Sequence, residues 1–206
     1  MEKFNRFKQN PRFLEGRHAI PSVNVCVFTI PGSEVTDQQI RKQITLASQI
    51  WQIKFIISNI TLAEEFAVPT GDASSRNNPS QEVQQLFNKR SCACPNVNNV
   101  GVFYSNADSL SNNATARAFP ALAKGSNFYD IILTKSALEN TLAHELGHIL
   151  FYSNPQLRGK NPDPNSNGTH STDSRNIMHG TVNINKRKIT PLQRLKALGS
   201  TLIEYR

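Results

Sequence analysis

Apolar positions along this chain switch between a strand period and a helix period. Residues 23–30, VNVCVFTI, form a β-branched run stopped by Pro31 and Gly32, which predicts a buried strand ending in a turn. Thr36 and Gln39 then make a capping box, and Ile40, Ile44, Ala47 and Trp51 recur at helical spacing, so a helix follows. Strand character returns at 54–60 (KFIISNI), 100–104 (VGVFY) and 129–133 (YDIIL). ATARAFPA, 114–121, reads as a short edge strand ended by Pro120. Ser136 and Glu139 form a second capping box ahead of Leu138, Leu142, Leu146, Ile149 and Leu150, a broad apolar helix face. That helix must stop before Asn154, because the residue preceding Pro155 is pushed out of helical geometry. A last helix is capped by Thr190 with Pro191 at its first position, and Leu192, Leu195 and Leu198 are expected beneath it.

This order of elements indicates an α/β or α+β sheet domain, without internal repeats. Residues 1–21 carry dense charge and two prolines with neither period, and read as a disordered N-terminal arm ahead of a single domain over 22–206. The stretch 64–98 is rich in Asn, Ser and Pro, with one short helix from about 81 to 89, and is expected to be an insertion running over the surface. A chain of 206 residues, 38% of them hydrophobic, suffices for one such core.

The net charge of +8 raises the question of nucleic acid, but the Lys and Arg residues are scattered and accompany no nucleic-acid module, so a generally basic surface is expected instead. No apolar run approaches the roughly 20 residues that cross a bilayer. The first twenty residues contain no signal-type apolar block, which implies a cytoplasmic protein unless a signal peptide has been removed. Cys26, Cys92 and Cys94 permit one disulfide between Cys26 and either of the others, not a disulfide framework, and Cys-x-Cys alone is too little for a structural zinc site.

The chemistry concentrates in TLAHELGHIL, 141–150. His144 and His148 stand four apart, so on a helix their imidazoles project one turn apart from one face and can share a metal ion. Glu145, displaced by about 100 degrees, is placed to reach a metal-bound water rather than the metal. A catalytic zinc needs a third protein ligand. His18, His170, His179 and carboxylates compete for that place, and His18 lies in the arm.

HELGH followed by HSTD at 170–173 and Met178 eight residues after His170 resembles the metzincin zinc endopeptidases, most closely their matrixin branch. The resemblance extends to the strand–helix–strand at 23–60, ATARAFPA, DIIL and ITPLQ, and covers roughly residues 23 to 200. It implies an α+β, α/β-like fold: a twisted, mostly parallel sheet with an antiparallel edge strand, an active-site helix and a C-terminal helix. It also implies one catalytic zinc ion held by His144, His148 and His170, Glu145 as general base, and Met178 in a structural turn below the metal. Peptide would lie along Ala116, Arg117, Ala118 and Phe119. His179 stands near where some relatives have a tyrosine that approaches the transition state, and could assist it.

Three departures stand out. Where metzincins have a turning glycine and then the third histidine, this chain has Phe151 and Asn154. The long stretch 153–169, rich in Pro, Asn and Gly, supplies the slack by which His170 could return instead, and is a natural candidate for shaping or covering the site. Arg117 occupies the place of a matrixin histidine for a second, structural zinc, so no such site is expected. Cys92-Ala93-Cys94-Pro95 is only faintly similar to the metal-blocking cysteine of matrixin pro-segments, and it lies inside the domain.

The resulting expectation is a zinc-dependent endopeptidase hydrolysing peptide bonds by metal-activated water, monomeric, acting on protein or peptide substrates, and secreted if a signal was removed. The alternatives are a zinc-binding, non-catalytic protein acting through a basic surface, and a binder of nucleic acid or acidic surfaces, which only the +8 charge suggests.

Overall fold

A computed structural model describes residues 19–63, 81–110, 113–119, 128–156, 163–164, 168–181 and 183–206. Most of the arm, including His18, and residues 64–80 of the expected insertion lie outside the described residues. The elements run β1 (Pro21–Thr29), α1 (Asp37–Trp51), β2 (Lys54–Leu62), α2 (Gln81–Ala93), β3 (Val100–Tyr104), β4 (Ala116–Phe119), β5 (Tyr129–Leu133), α3 (Thr141–Tyr152), α4 (Pro191–Leu198) and β6 (Glu204–Tyr205). The sheet has the order β2-β1-β3-β5-β4. Its first four strands are parallel, β4 pairs antiparallel to β5 at one edge, and the two-residue β6 pairs antiparallel to the start of β1. None of the described helices is long and apolar enough to cross a membrane.

Both faces of the sheet are covered, which is why its central strands are continuous apolar runs rather than alternating ones. Val23, Val25 and Val27 of β1, Val100 and Val102 of β3, and Ile131 and Leu133 of β5 join Ile40, Ile44, Trp51, Leu142, Leu146 and Ile149 in the larger core, under α1 and α3. Residues of opposite parity, Cys26, Phe28, Phe103 and Ile132, meet Val83 and Leu86 of α2 in a second cluster. The part of the expected surface excursion that is described therefore helps to build the core.

On that second face β3 has Gly101, and an added Cβ there would overlap the Asp130 carboxylate and stand 2.9 Å from Arg90 Nε. The missing side chain makes room for a buried ion pair, Arg90 Nε to Asp130 Oδ1 at 2.9 Å, with the guanidinium 4.0 Å from the centroid of the Phe128 ring. Burial raises the Asp130 carboxyl pKa, opposed by the charge of Arg90. Close by, Cys26 of β1 forms a disulfide with Cys94, just past α2.

Two expectations fail. Instead of starting after a capping box at Ser136, α3 begins at Thr141, and its N-cap Asn140 makes no side-chain cap bond. Glu139 reaches across to Lys42 of α1 at 3.2 Å, while the Asn140 amide donates to the carbonyls of Asn183 and Lys186 at 2.6 and 2.8 Å. In α4 Thr190 caps the helix with Pro191 in its first turn as expected, and Gln193 completes a capping box, but Leu192 and Leu195 face outward and Gln193 and Ala197 are the buried residues.

Candidate metal centre

The position of α3 is set by α1 through Trp51. This fully buried indole donates from Nε1 to the carbonyl of Ala143 at 2.8 Å and packs edge-on to Phe151, with centroids 5.7 Å apart. Helix α3 continues through Phe151, and Ser153 closes it by donating its Oγ to the carbonyl of Ile149 at 2.8 Å. His144, Glu145 and His148 are thus held on a rigid, nearly wholly buried helix.

The chain beyond α3 comes back to it. His144, His148 and His170 offer ligand atoms all within 4.8 Å of one another. The ring of His170 stacks against that of His144 at 5.3 Å and meets His148 edge-on at 5.0 Å. The first two histidines are buried, whereas His170 is exposed, with Thr169 Oγ1 at 3.2 Å from its Nδ1.

These residues suit a metal by the chemistry of their donors. His144 donates Nδ1–H to the Ile177 carbonyl at 2.7 Å, so the Nε2 of the neutral ring carries a lone pair. Burial pushes the His144 pKa below its ordinary range, against the Ile177 hydrogen bond and the charge of Asp163, which raise it; Lys186 and His179 add to the lowering. The ring is therefore a neutral ligand at pH 7. Nε2 of His148 stands 3.1 Å from Nε2 of His144, close to the roughly 3.3 Å separating two nitrogens on a tetrahedral zinc with bonds of about 2.0–2.1 Å.

Met178 is fully buried against Gly147 of α3, in a turn where Ser171 N–H donates to the Met178 carbonyl at 2.8 Å and His179 N–H to the Asn176 carbonyl at 3.1 Å. A Cβ at Gly147 would overlap both Met178 Sδ and Trp51, so the glycine in HELGH allows the turn to approach the helix. Glu145 sits between the two helical histidines in sequence, 7% exposed and therefore still in touch with solvent.

His179 is half-buried, and its Nδ1 receives both the Thr181 N–H at 3.2 Å and Lys186 Nζ at 2.9 Å. Two donors on one nitrogen require a lone pair there and put the ring proton on Nε2. Among the described residues Ala116–Phe119 form one edge of the sheet, with Ala116 and Ala118 on the α3 side; strand alternation turns Arg117 to the other face. Asn154 is buried, and its side-chain amide donates to the Lys196 carbonyl of α4.

The sequence reading missed Trp51 as a support of α3, and it missed the polar residues Asn140, Asp163, Asn176 and Lys186 entirely. Only Gln193 had a signal, its place in a capping box.

The sequence matches no protein-family model and no curated protein. Among solved structures, the chain is similar to metalloproteinase-II from Bacteroides fragilis, with a TM-score of 0.59 and 12% identity over 89% of its length. The match covers 54% of that protein's chain, so the present sequence spans about half of it. At this identity the likeness is one of fold. The chain thus has a metalloproteinase-like α/β fold carrying a three-histidine group that could hold a metal ion.

Proposed function

We propose that the protein is a metzincin-type zinc endopeptidase, with one zinc ion held by His144, His148 and His170. The observation that carries this reading is the convergence of three imidazoles beside Glu145, on the same helix as two of them. Bound zinc would supply Lewis-acid polarisation of the scissile carbonyl and of the attacking water. Glu145 takes the proton from that water and passes it to the leaving amine. An extended peptide pairs with the edge strand Ala116–Phe119, held by main-chain hydrogen bonds largely independent of its sequence. The Nε2–H of His179, fixed by Thr181 and Lys186, donates to the oxyanion as the carbonyl becomes tetrahedral. Met178 supports the ligands from below, and the enzyme acts as a monomer. The buried Cys26–Cys94 disulfide favours an oxidising compartment and hence secretion.

The test is bound zinc and cleavage of unfolded protein substrates, for wild type and Glu145→Ala. Loss of cleavage with zinc retained is the expected result. A fully zinc-loaded wild type that cleaves nothing in a broad peptide library would overturn proteolysis and leave a non-catalytic zinc protein.

A further inference from the structure

Asp163 lies in the long connection between the second and third histidines, yet it is fully buried. Burying a carboxylate is costly unless the charge is met by hydrogen bonds. Here Gln193 Nε2 donates to it, at 3.3 Å from Oδ1 and 3.2 Å from Oδ2. The same amide nitrogen donates its second proton to Asn176 Oδ1 at 3.2 Å, while Gln193 Oε1 accepts from Asn176 Nδ2 and from the Thr190 N–H, each at 2.9 Å. Asn176 Oδ1 in turn accepts the Met178 N–H at 2.9 Å. The residue between them, Ile177, presents the carbonyl that holds Nδ1 of His144. An unbroken polar chain thus runs from the connecting loop, through α4, to the backbone that orients the first candidate ligand.

We propose that Asp163 is a positioning residue for the histidine cluster, clamping the loop through Gln193 and Asn176 to the turn whose Ile177 carbonyl fixes His144. This explains why Gln193, rather than a leucine, faces inward from α4. It also gives the long loop a role, since the clamp ties it to the turn that presents the Ile177 carbonyl. The inference rests on the metal-site reading only for its effect on zinc, since the tautomer of His144 is set with or without metal.

The full chain with Asp163→Ala is compared with wild type in two measurements. Zinc affinity, by competition with a chelator, should fall about 10- to 100-fold, the usual cost of losing a partner that orients a ligand. In the zinc-free protein, the hydrogen-bonded Nδ1–H signal of His144 in imidazole NMR should broaden or disappear. Combining Asp163→Ala with Gln193→Ala should add little to either effect, because both break one chain. Should Asp163→Ala fail to fold, Asp163→Asn keeps an acceptor for Gln193 and should show the same changes, smaller. A variant with a lowered Tm but unchanged zinc affinity and an unchanged His144 signal would overturn the clamp. A wild type that shows the His144 signal and binds no zinc would overturn the metal reading and leave the clamp to be judged by NMR alone.

Discussion

The side-chain amide of Asn154 donates to the backbone carbonyl of Lys196 at 2.8 Å, so the residue standing where a third histidine would be expected joins α3 to α4. Its Oδ1 accepts the Gln156 N–H at 2.9 Å, and a Cβ on Gly199 would come within 2.6 Å of its Nδ2. Ser153 strengthens the same junction, its carbonyl receiving the Thr201 N–H and hydroxyl. These contacts use both ends of the Asn154 amide, one in reaching α4 and the other in turning the chain after α3.

Asn154 and His170 should therefore separate stability from metal binding. Asn154→Ala leaves the Lys196 carbonyl with only the Gly199 N–H and should cost about 0.5–1.5 kcal/mol in urea unfolding of the zinc-free protein, with zinc affinity nearly unchanged. His170→Ala removes an exposed side chain and should leave that stability within about 0.5 kcal/mol, while zinc affinity falls at least tenfold. If zinc binding instead followed Asn154, the return of the chain to His170 would have no role in the site.

Gly147→Ala pits two effects against each other. In an exposed helix alanine gains about 1 kcal/mol over glycine. Here the new methyl overlaps Met178 Sδ and the Trp51 ring, and Trp51 cannot easily yield because its Nε1–H is held by Ala143. Overpacking typically costs about 1–3 kcal/mol, so the clash should win and Tm should drop. Met178→Ala in the same chain removes one of the two obstructions and should make the pair strongly non-additive. Additive effects would show that the turn does not press on the helix at this point.

What could be read from the sequence was what local chemistry decides. The caps at Thr36 and Thr190, the strand 100–104 and the continuation of α3 through Phe151 each follow from neighbours within a few residues. The start of α3 did not follow, because Asn140 and Glu139 spend their side chains on residues distant in sequence, Asn183, Lys186 and Lys42. Nor did the inner face of α4: leucines at helical spacing suggest an apolar floor, whereas the floor is the polar pair Asn176 and Asp163, which Gln193 matches. The gathering of His170 with the helical pair was legible only through a spacing borrowed from resemblance, since the seventeen residues from 153 to 169 have no period that says where the chain returns.

Acid should destabilise the zinc-free protein through His144. Its folded pKa lies below the ordinary value of 6.5 because of burial, so below pH 6.5 the unfolded chain binds the proton that the folded one refuses. Stability from this group is fully present above pH 6.5 and is lost as pH falls towards the folded pKa, at most about 1.4 kcal/mol per pH unit. Urea unfolding between pH 7.5 and 5.5 measures it: wild type should lose more stability than His144→Gln over that interval. Equal pH dependence in the two proteins would mean that His144 accepts a proton in place.

The disulfide makes the last prediction. Cys26 and Cys94 are 68 residues apart, their Cα atoms separated by 6.4 Å, and Asn99 Nδ2 donates to both sulfurs at 3.4 and 3.3 Å. Closing a loop of that length restricts the unfolded chain by an amount worth about 4 kcal/mol. Because the bond ties β1 to the end of α2, its loss should loosen the second core most, around Phe28, Phe103 and Leu86. Cys26→Ala with Cys94→Ala should therefore unfold at lower urea, with hydrogen exchange quickened first in α2, while α3 keeps its protection and the protein its zinc. Peptide mapping without reductant tests the pairing directly: a crosslink from Cys26 to Cys92 would place the bond on the wrong cysteine. Uniform loss of protection, α3 included, would instead mean that the two faces of the sheet unfold as one unit.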